Sequence, residues 1–340
     1  MSRGIKSKDL AQMLGVSPST ISMVLNNKPG ISDATRKLVL DKIAELNSQT
    51  SEISNVIHSS SFIYFIIYKK HGKVVGDTPF FSQLIEGIES TVKASGSNLQ
   101  IAYYNEGSDL SLSLPLLYTK DCKGIILLAT EMSFTDVQVF AHLNIPIVLL
   151  DSYFDELALD TIVINNSQAA RSAARFLIGN GHKKIGYLHS AFHINNFSER
   201  KDGFYRELRR KNIEIRPDLE YKLTPTADGA YADMKELLEA HREMPTAFFA
   251  DNDIIALSAI RALKEFGYRI PDDISVIGID DMPMCELMDP PLTTMQVPKH
   301  EMGIMAVKRL LDVIQDHGRE IVTLQLRTSL VQRSSVKNIS

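Results

Sequence analysis

Acids and amides stand just past short apolar runs at three places in this chain. These are Asp151 after residues 146–150, Asn252-Asp253 after 247–250, and Asp280-Asp281 after 276–279. Carboxylates and carboxamides exchange hydrogen bonds with hydroxyl groups, so such a set suits a polyol or sugar. Each residue taken alone reads equally as the N-cap of the following helix, where a short polar side chain satisfies an exposed backbone N–H. Their recurrence at equivalent places favours a binding site.

The residues needed for catalysis do not accompany them. No Gly-x-Gly-x-x-Gly follows the first apolar run, Gly72-Lys73 lacks the preceding glycine and the Ser/Thr of a phosphate loop, and no Gly-x-Ser-x-Gly occurs. His182 is an isolated turn residue, and His189 with His193 lacks a helix and a third ligand. Asp251 and Asp253 flank a strand end without the further oxygens that calcium wants. The expectation is a protein that is not an enzyme and holds no metal or cofactor. Cys122 and Cys285 are far apart and read as reduced structural thiols of a cytoplasmic protein.

A second chemistry belongs to the first sixty residues. Pro18, Ser19, Thr20, Ser22 and Met23 form a small, polar outward face on a short helix, of the kind that enters a DNA major groove. Hydroxyls and amides near helix N-termini hold phosphates, which adds Thr20, Asn26, Ser32 and Thr35. The element signals support this reading. Ser7 caps a helix with Leu10, Ala11 and Leu14 on one side, and Gly15 ends it. Ser17-Pro18 starts a second helix with Ile21, Val24 and Leu25 inward, and Ser32-Asp33 starts a third. Two short helices joined by a glycine-containing turn make a helix-turn-helix. Net charge is −4, yet residues 1–60 carry seven Lys/Arg against five Asp/Glu, or +2, leaving −6 for the rest. A positive head on an acidic body confines phosphate contacts to one end.

The elements that position the strand-end acids alternate. Residues 62–67, 99–103, 124–129, 146–150, 184–189, 247–250 and 276–279 read as strands, with amphipathic helices between them. That order implies parallel sheets covered on both faces, and two such sets imply two doubly wound lobes with a ligand cleft between them. At 340 residues, 44% hydrophobic and 23% charged, the chain is globular and longer than one typical domain. No apolar run approaches the ~18 residues of a membrane helix, and residues 1–6, basic but without an apolar core, do not read as a secretory signal.

The runs Asp9-Leu10-Ala11, Gly15-Val16-Ser17-Pro18-Ser19-Thr20-Ile21-Ser22, Val24-Leu25-Asn26 and Ile31-Ser32-Asp33-Ala34-Thr35-Arg36 closely resemble the DNA-binding head of the lac repressor (LacI/GalR) family. The resemblance implies that Pro18, Ser19 and Met23 read bases and that Lys6, Ser7, Ser17 and Ser22 join the DNA contacts. Many members carry arginine at the Met23 position, where it grips guanine; Met23 offers only apolar contact. Residues 48–61 correspond to a hinge that folds on operator DNA and wedges Ile57 into the minor groove. The usual Tyr-x-Pro-Asn entry is replaced by Ser48-Gln49-Thr50-Ser51.

Further landmarks extend the resemblance to about Leu330: Pro79-Phe80-Phe81-Ser82, Gly181-His182-Lys183-Lys184-Ile185-Gly186-Tyr187, Arg200-Lys201-Asp202-Gly203-Phe204, the run 272–281, and Pro291-Leu292-Thr293-Thr294. They imply a body similar to periplasmic sugar-binding proteins, with effector contacts at Phe80, Phe81, Asp151, Arg200, Asn252 and Asp280. Phe81 also falls on an apolar helix face, a core position. Chain crossovers are implied near Asp160, Pro290 and Glu320. Asn165-Asn166 stands where Asp-Asn is common. Leu223-Thr224-Pro225-Thr226 stands where many members place an aromatic wall, so stacking is expected from Phe80, Phe81 or Tyr153.

The expected organisation is a helix-turn-helix head (1–47), a hinge (48–61) and a two-lobed α/β body (62–340). Its first lobe takes 62–160 and 291–320, its second 161–290 and 321–332. The expected function is a homodimeric repressor whose affinity for double-stranded operator DNA is set by a sugar-like small molecule. A corepressor-dependent regulator sensing a purine or other non-sugar ligand is the alternative. A solute-binding protein would share the two-lobed body but would need a secretory signal and no DNA-binding head, the reverse of what residues 1–60 read as.

Overall fold

The computed structural model describes residues 15–17, 20, 32, 35, 61–76, 80–240, 243–316 and 320–340, in two units, Met1–Ser60 and Ser61–Ser340. In the first unit Gly15 takes φ +64°, the left-handed conformation expected of a helix-ending glycine. Thr20 and Thr35 are helical, and each donates its backbone N–H to the serine three residues earlier, at 3.1 Å to Ser17 Oγ and 3.2 Å to Ser32 Oγ. Both serines therefore cap, as their positions predict. Lys6, Ser7, Pro18, Ser19, Ser22, Met23, Asn26 and Ile57 lie outside the described residues.

The second unit begins with β1 (Phe62–Lys69), whose bulky residues are all buried except Lys69. Such a run needs cover on both faces of its sheet. There follow α1 (Phe80–Ala94), β2 (Asn98–Asn105), the short α2 (Leu110–Ser113), β3 (Cys122–Leu128), α3 (Phe134–Ala141), β4 (Ile147–Leu150) and β5 (Asp160–Ile164). The second series is α4 (Asn166–Gly179), β6 (Ile185–Ser190), α5 (Asn195–Arg210), β7 (Glu220–Leu223), α6 (Ala227–Glu239), β8 (Ala247–Ala250), α7 (Asp253–Glu265), β9 (Ser275–Asp280), α8 (Met284–Leu287) and β10 (Thr293–Gln296). The chain closes with α9 (Lys299–Gln315), β11 (Thr323–Leu326) and β12 (Ser329–Val331).

The strands form two six-stranded sheets, ordered β11-β5-β4-β3-β1-β2 and β12-β10-β9-β8-β6-β7. Every pairing is parallel except β10 with β12. Helix α1 buries Phe80, Phe81, Leu84, Ile88 and Val92, one stripe at helical spacing. It lies against α9 so closely that a Cβ on Gly87 or Gly303 would meet the other helix's backbone.

The chain passes between sheets three times, each time one strand later than expected. The strand beginning at Asp160 still pairs with β4, Thr293–Gln296 still pairs with β9, and Thr323–Leu326 pairs with β5. The polar breakpoints Asp160, Pro290 and Glu320 mark where a strand starts; the crossing waits until that strand has completed its ladder. The lobe bounds are corrected accordingly: β5 and β11 belong to the first lobe and β10 to the second.

Candidate functional site

The strand-end acids sit where parallel sheets present ligand sites. Asp151 follows β4 at φ +69°, Asp280 ends β9 at φ +126°, and Asp281 follows at φ +55°. Non-glycine residues seldom adopt positive φ, and Asp tolerates it better than most, so the backbone turns abruptly here to aim these carboxyls. Asp151 accepts from Thr130 Oγ1 at 2.7 Å. The Asp280 carbonyl accepts from Lys299 Nζ.

Arg200 comes from the buried face of α5, which also carries Asn196, Phe197, Gly203 and Phe204 at three- and four-residue spacing. Its guanidinium donates from Nε to Asn166 Oδ1 at 2.9 Å and from Nη1 to the Asp251 carbonyl at 2.5 Å. Nη2 lies 3.8 Å from Asp280 Oδ1. The departure Asn165-Asn166 thus has a visible role: Asn165 caps α4 through Gln168 N–H at 2.8 Å, and Asn166 holds Arg200.

Burial dominates the electrostatics. It pushes Asp151 up to about 6, against the Thr130 hydrogen bond and the Arg200 charge, which both favour the carboxylate. It likewise pushes Asp280 up to about 6, opposed by Arg200 and Lys299. One guanidinium fixed by neutral partners therefore faces two carboxyls that titrate unusually late. Such perturbed groups, gathered in a cleft, mark a functional site.

All six residues expected at the effector site, Phe80, Phe81, Asp151, Arg200, Asn252 and Asp280, line one cavity between the two lobes. Phe80 and Phe81 meet edge-on, with ring centroids 5.0 Å apart. Tyr153 does not line this cavity; it lies on a wider neighbouring groove. The missing wall is supplied instead by Phe197, whose ring lies 5.5 Å from the Arg200 guanidinium carbon. Free space in the cavity is only about 30 Å³, room for a water or two, so a larger ligand must displace side chains or part the lobes.

The lobes meet through specific contacts. Asn196 Nδ2 donates to the Asp151 carbonyl at 2.9 Å, and Asn195 Nδ2 lies 3.3 Å from Ser152 Oγ. Val74, Ile194 and Phe197 bury one another, and the His71 ring packs 4.6 Å from Phe192. The loop bearing Val74 and His71 is nested on a single buried carboxylate. Glu131 Oε2 accepts from the backbone N–H groups of Lys70, His71 and Gly72 at 2.9–3.1 Å. Its Oε1 accepts from Val74 and Val75 at 2.8 and 3.0 Å. Those bonds outweigh burial and hold the Glu131 carboxyl below its ordinary value.

The capping reading holds for part of the second acid set. Asn252 accepts from Ile255 N–H at 3.0 Å as the cap of α7, while also lining the cavity. Asp253 is structural, accepting from Thr294 Oγ1 at 2.6 Å, Met282 N–H at 3.1 Å and Cys285 Sγ at 3.1 Å. Asp251 accepts from Tyr187 Oη, His189 Nδ1 and Ser190 N–H. Among the residues the sequence reading passed over, Thr130-Glu131 lies one residue beyond the end of β3, close to the strand-end signal that singled out the acids. Asn196 and Phe197 precede Arg200 by one helical turn, a signal available only once Arg200 is chosen.

In the first unit, Ser17 Oγ pairs with Thr20 Oγ1 at 2.9 Å and Ser32 Oγ with Thr35 Oγ1 at 2.8 Å. These hydroxyls thus gather at two helix starts, where a phosphate is bound by donors.

Comparison with known proteins gives two family matches. Bacterial regulatory proteins, lacI family, matches residues 7–51, and the periplasmic binding protein-like domain matches residues 174–336. The chain is 32% identical over 337 residues to the HTH-type transcriptional repressor PurR of Mannheimia succiniciproducens, covering 98% of this chain and 99% of that one. It is 31% identical over 338 residues to the ribose operon repressor of Haemophilus influenzae, covering 98% of each. Among solved structures, the lac repressor dimer bound to operator and the anti-inducer ONPF is 25% identical with a TM-score of 0.71, covering 98% of this chain and 100% of that one.

Proposed function

The chain belongs to the lacI family of bacterial regulatory proteins, and from that premise we propose that the cleft between its lobes takes a sugar-sized, polyhydroxylated effector that sets its affinity for an operator. It is a DNA-binding transcriptional repressor under effector control, not an enzyme. The observation that carries the effector reading is the convergence of Asp151, Arg200, Asn252 and Asp280 from both lobes on one cavity with Phe80 and Phe81. Carboxyls, an amide and a fixed guanidinium exchange hydrogen bonds with hydroxyls, while the phenyl rings cover the apolar face of a sugar.

Residues 1–47 form the head in this reading, 48–61 the hinge and 62–340 the sensor. Pro18, Ser19 and Met23 read base edges, with Ser22 on the same groove-facing surface; Thr20, Asn26, Ser32 and Thr35 hold phosphates; Lys6, Ser7 and Ser17 join the DNA contacts; Ile57 wedges the minor groove. A homodimer presents two heads to the halves of a pseudo-palindrome, as similarity to an operator-bound lac repressor dimer supports. The protein works beside DNA, in the cytoplasm; among the described residues no helix is long and apolar enough to cross a membrane. Effector binds the two lobe arrangements unequally, and a coupling of roughly 1–3 kcal/mol changes operator affinity ~5–150-fold. Relief of repression by the ligand is the favoured sign. A purine acting as corepressor is the second reading, favoured by the three phenyl rings that line the cavity.

The test is a gel shift with the full chain, a selected operator and a panel of sugars and purines. Arg200→Ala is expected to bind operator normally and lose the response of the wild type to its ligand. A folded Arg200→Ala protein that still responds at the same ligand concentration removes the site assignment.

A further inference from the structure

Beside the effector cavity the second lobe carries another pocket, of about 180 Å³, several times the free space of the first. It shares Ile194 and Phe197 with the effector cavity. Its polar lining comes from His189, His193, Lys222, Ser190 and Ser198, and no carboxylate lines it. That composition contrasts with the adjoining groove, where Glu131, Asp155, Glu156, Glu199 and Asp202 face Lys70. It stands out further in a chain of net charge −4.

The donors are placed by the sheet. His189 and Lys222 are register partners on the parallel strands β6 and β7, so their side chains leave the same sheet face as neighbours. Both lie at the carboxyl ends of those strands, where open parallel sheets bind ligands. His189 is oriented from behind: its Nδ1 lies 2.9 Å from Asp251 Oδ2, and that carboxylate also accepts from Tyr187 Oη and Ser190 N–H. Its Nε2 has no hydrogen-bond partner among the described residues; since Nδ1 carries the proton facing Asp251, Nε2 donates to an anion in the imidazolium form. Lys222 is exposed and forms no ion pair among the described residues. The nearest acid along its strand, Glu220, is held by Lys201 Nζ and Tyr205 Oη, both at 2.6 Å. His193 Nδ1 lies 3.4 Å from Ser198 Oγ, which places a second imidazole and a hydroxyl at the same rim.

We propose that this pocket is an anion subsite that takes a phosphate-type group, held by Lys222, His189, His193 and the Ser198 hydroxyl; the Ser190 hydroxyl instead closes the turn by donating to the Phe192 carbonyl at 3.0 Å. A tetrahedral oxyanion offers several acceptors, and charge-assisted hydrogen bonds to it are the strong kind. The group arrives either on the effector, as a sugar phosphate, or as free phosphate acting beside it. The proposal rests on the effector reading only for the first source.

The test is calorimetric titration of the full-length protein with inorganic phosphate, ribose and ribose 5-phosphate. Phosphate is expected to bind the wild type, and Lys222→Ala to weaken it about 10-fold or more, as loss of one charged hydrogen bond predicts. Lys222 is exposed, so this variant keeps its fold, and Lys235→Ala on α6 controls for general charge. A Lys222-dependent preference for ribose 5-phosphate over ribose assigns the anion to the effector. Phosphate binding that depends on Lys222, with neither sugar bound, assigns it to free phosphate and leaves only the choice of sugar wrong. Absence of binding by both phosphate and ribose 5-phosphate, or binding of either that is equal in wild type and Lys222→Ala, overturns the subsite whatever the cleft ligand proves to be.

Discussion

Asp151 shows how one residue couples the site to the stability of the fold. Its carboxyl is pushed up to about 6 by burial, above the value near 4 of an unfolded chain. The folded protein therefore holds a proton that the unfolded chain releases, and stability falls as pH rises from about 4 through 6. Asp151→Asn removes that dependence while an amide oxygen still accepts from Thr130. The variant is expected to gain on the wild type as pH rises, by up to about 2 kcal/mol at pH 8 relative to pH 4. Melting temperatures measured from pH 4 to 8 check this; parallel curves for the two proteins would rule out the buried carboxyl as the cause. Asp280 is raised for the same reason, but removing it leaves Arg200 with less compensation, so Asp151 is the cleaner probe.

At the scale of elements, the loop after β1 depends on one side chain from the loop after β3. Five backbone N–H groups point at the Glu131 carboxylate, and they fix the conformation that presents Val74 and His71 to the other lobe. Glu131→Gln replaces one acceptor oxygen by a donor, so at least two of those N–H groups lose their partner. The expected cost is about 2–3 kcal/mol, read by urea denaturation. Amide exchange at residues 70–75 should rise with it, and the effector response should weaken because the Val74 wall shifts. A variant as stable as wild type, with those amides still protected, would show that the loop is held by other contacts. The hinge offers a separate test of the head. Ile57→Gly is expected to weaken operator binding by ~1 kcal/mol or more, the value of a partly buried side chain. Unchanged operator affinity would mean that this hinge does not wedge.

For the sensor unit as a whole, the decisive property is the small space left in the cleft, about 30 Å³. The lobes already meet through Asn196, Asn195, the Val74 cluster and the His71–Phe192 pair. A sugar that enters must displace the side chains lining this space or change that meeting, and the second route is the physical basis for coupling ligand to lobe arrangement. Small-angle scattering of the protein with and without saturating effector is expected to show a change in radius of gyration. Identical profiles would confine the response to side chains and remove lobe motion from the mechanism.

Local residue patterns dictate the alternation of strands and helices, the capping serines Ser17 and Ser32, the left-handed Gly15 and the strand-end acids. These are local properties, set by side-chain periodicity and by which backbone N–H groups need a partner. The sequence's resemblance to a family named Phe80, Phe81, Arg200 and Asn252, which line one cavity. Sheet membership of β5, β10 and β11 was decided only by the tertiary structure, because a strand's polar start looks the same whichever sheet it joins. So were the Phe197 wall in place of Tyr153, the raised carboxyls of Asp151 and Asp280, and the Glu131 nest. Each depends on residues distant in the chain being brought together and taken out of water, and desolvation and long-range pairing leave no mark on local sequence.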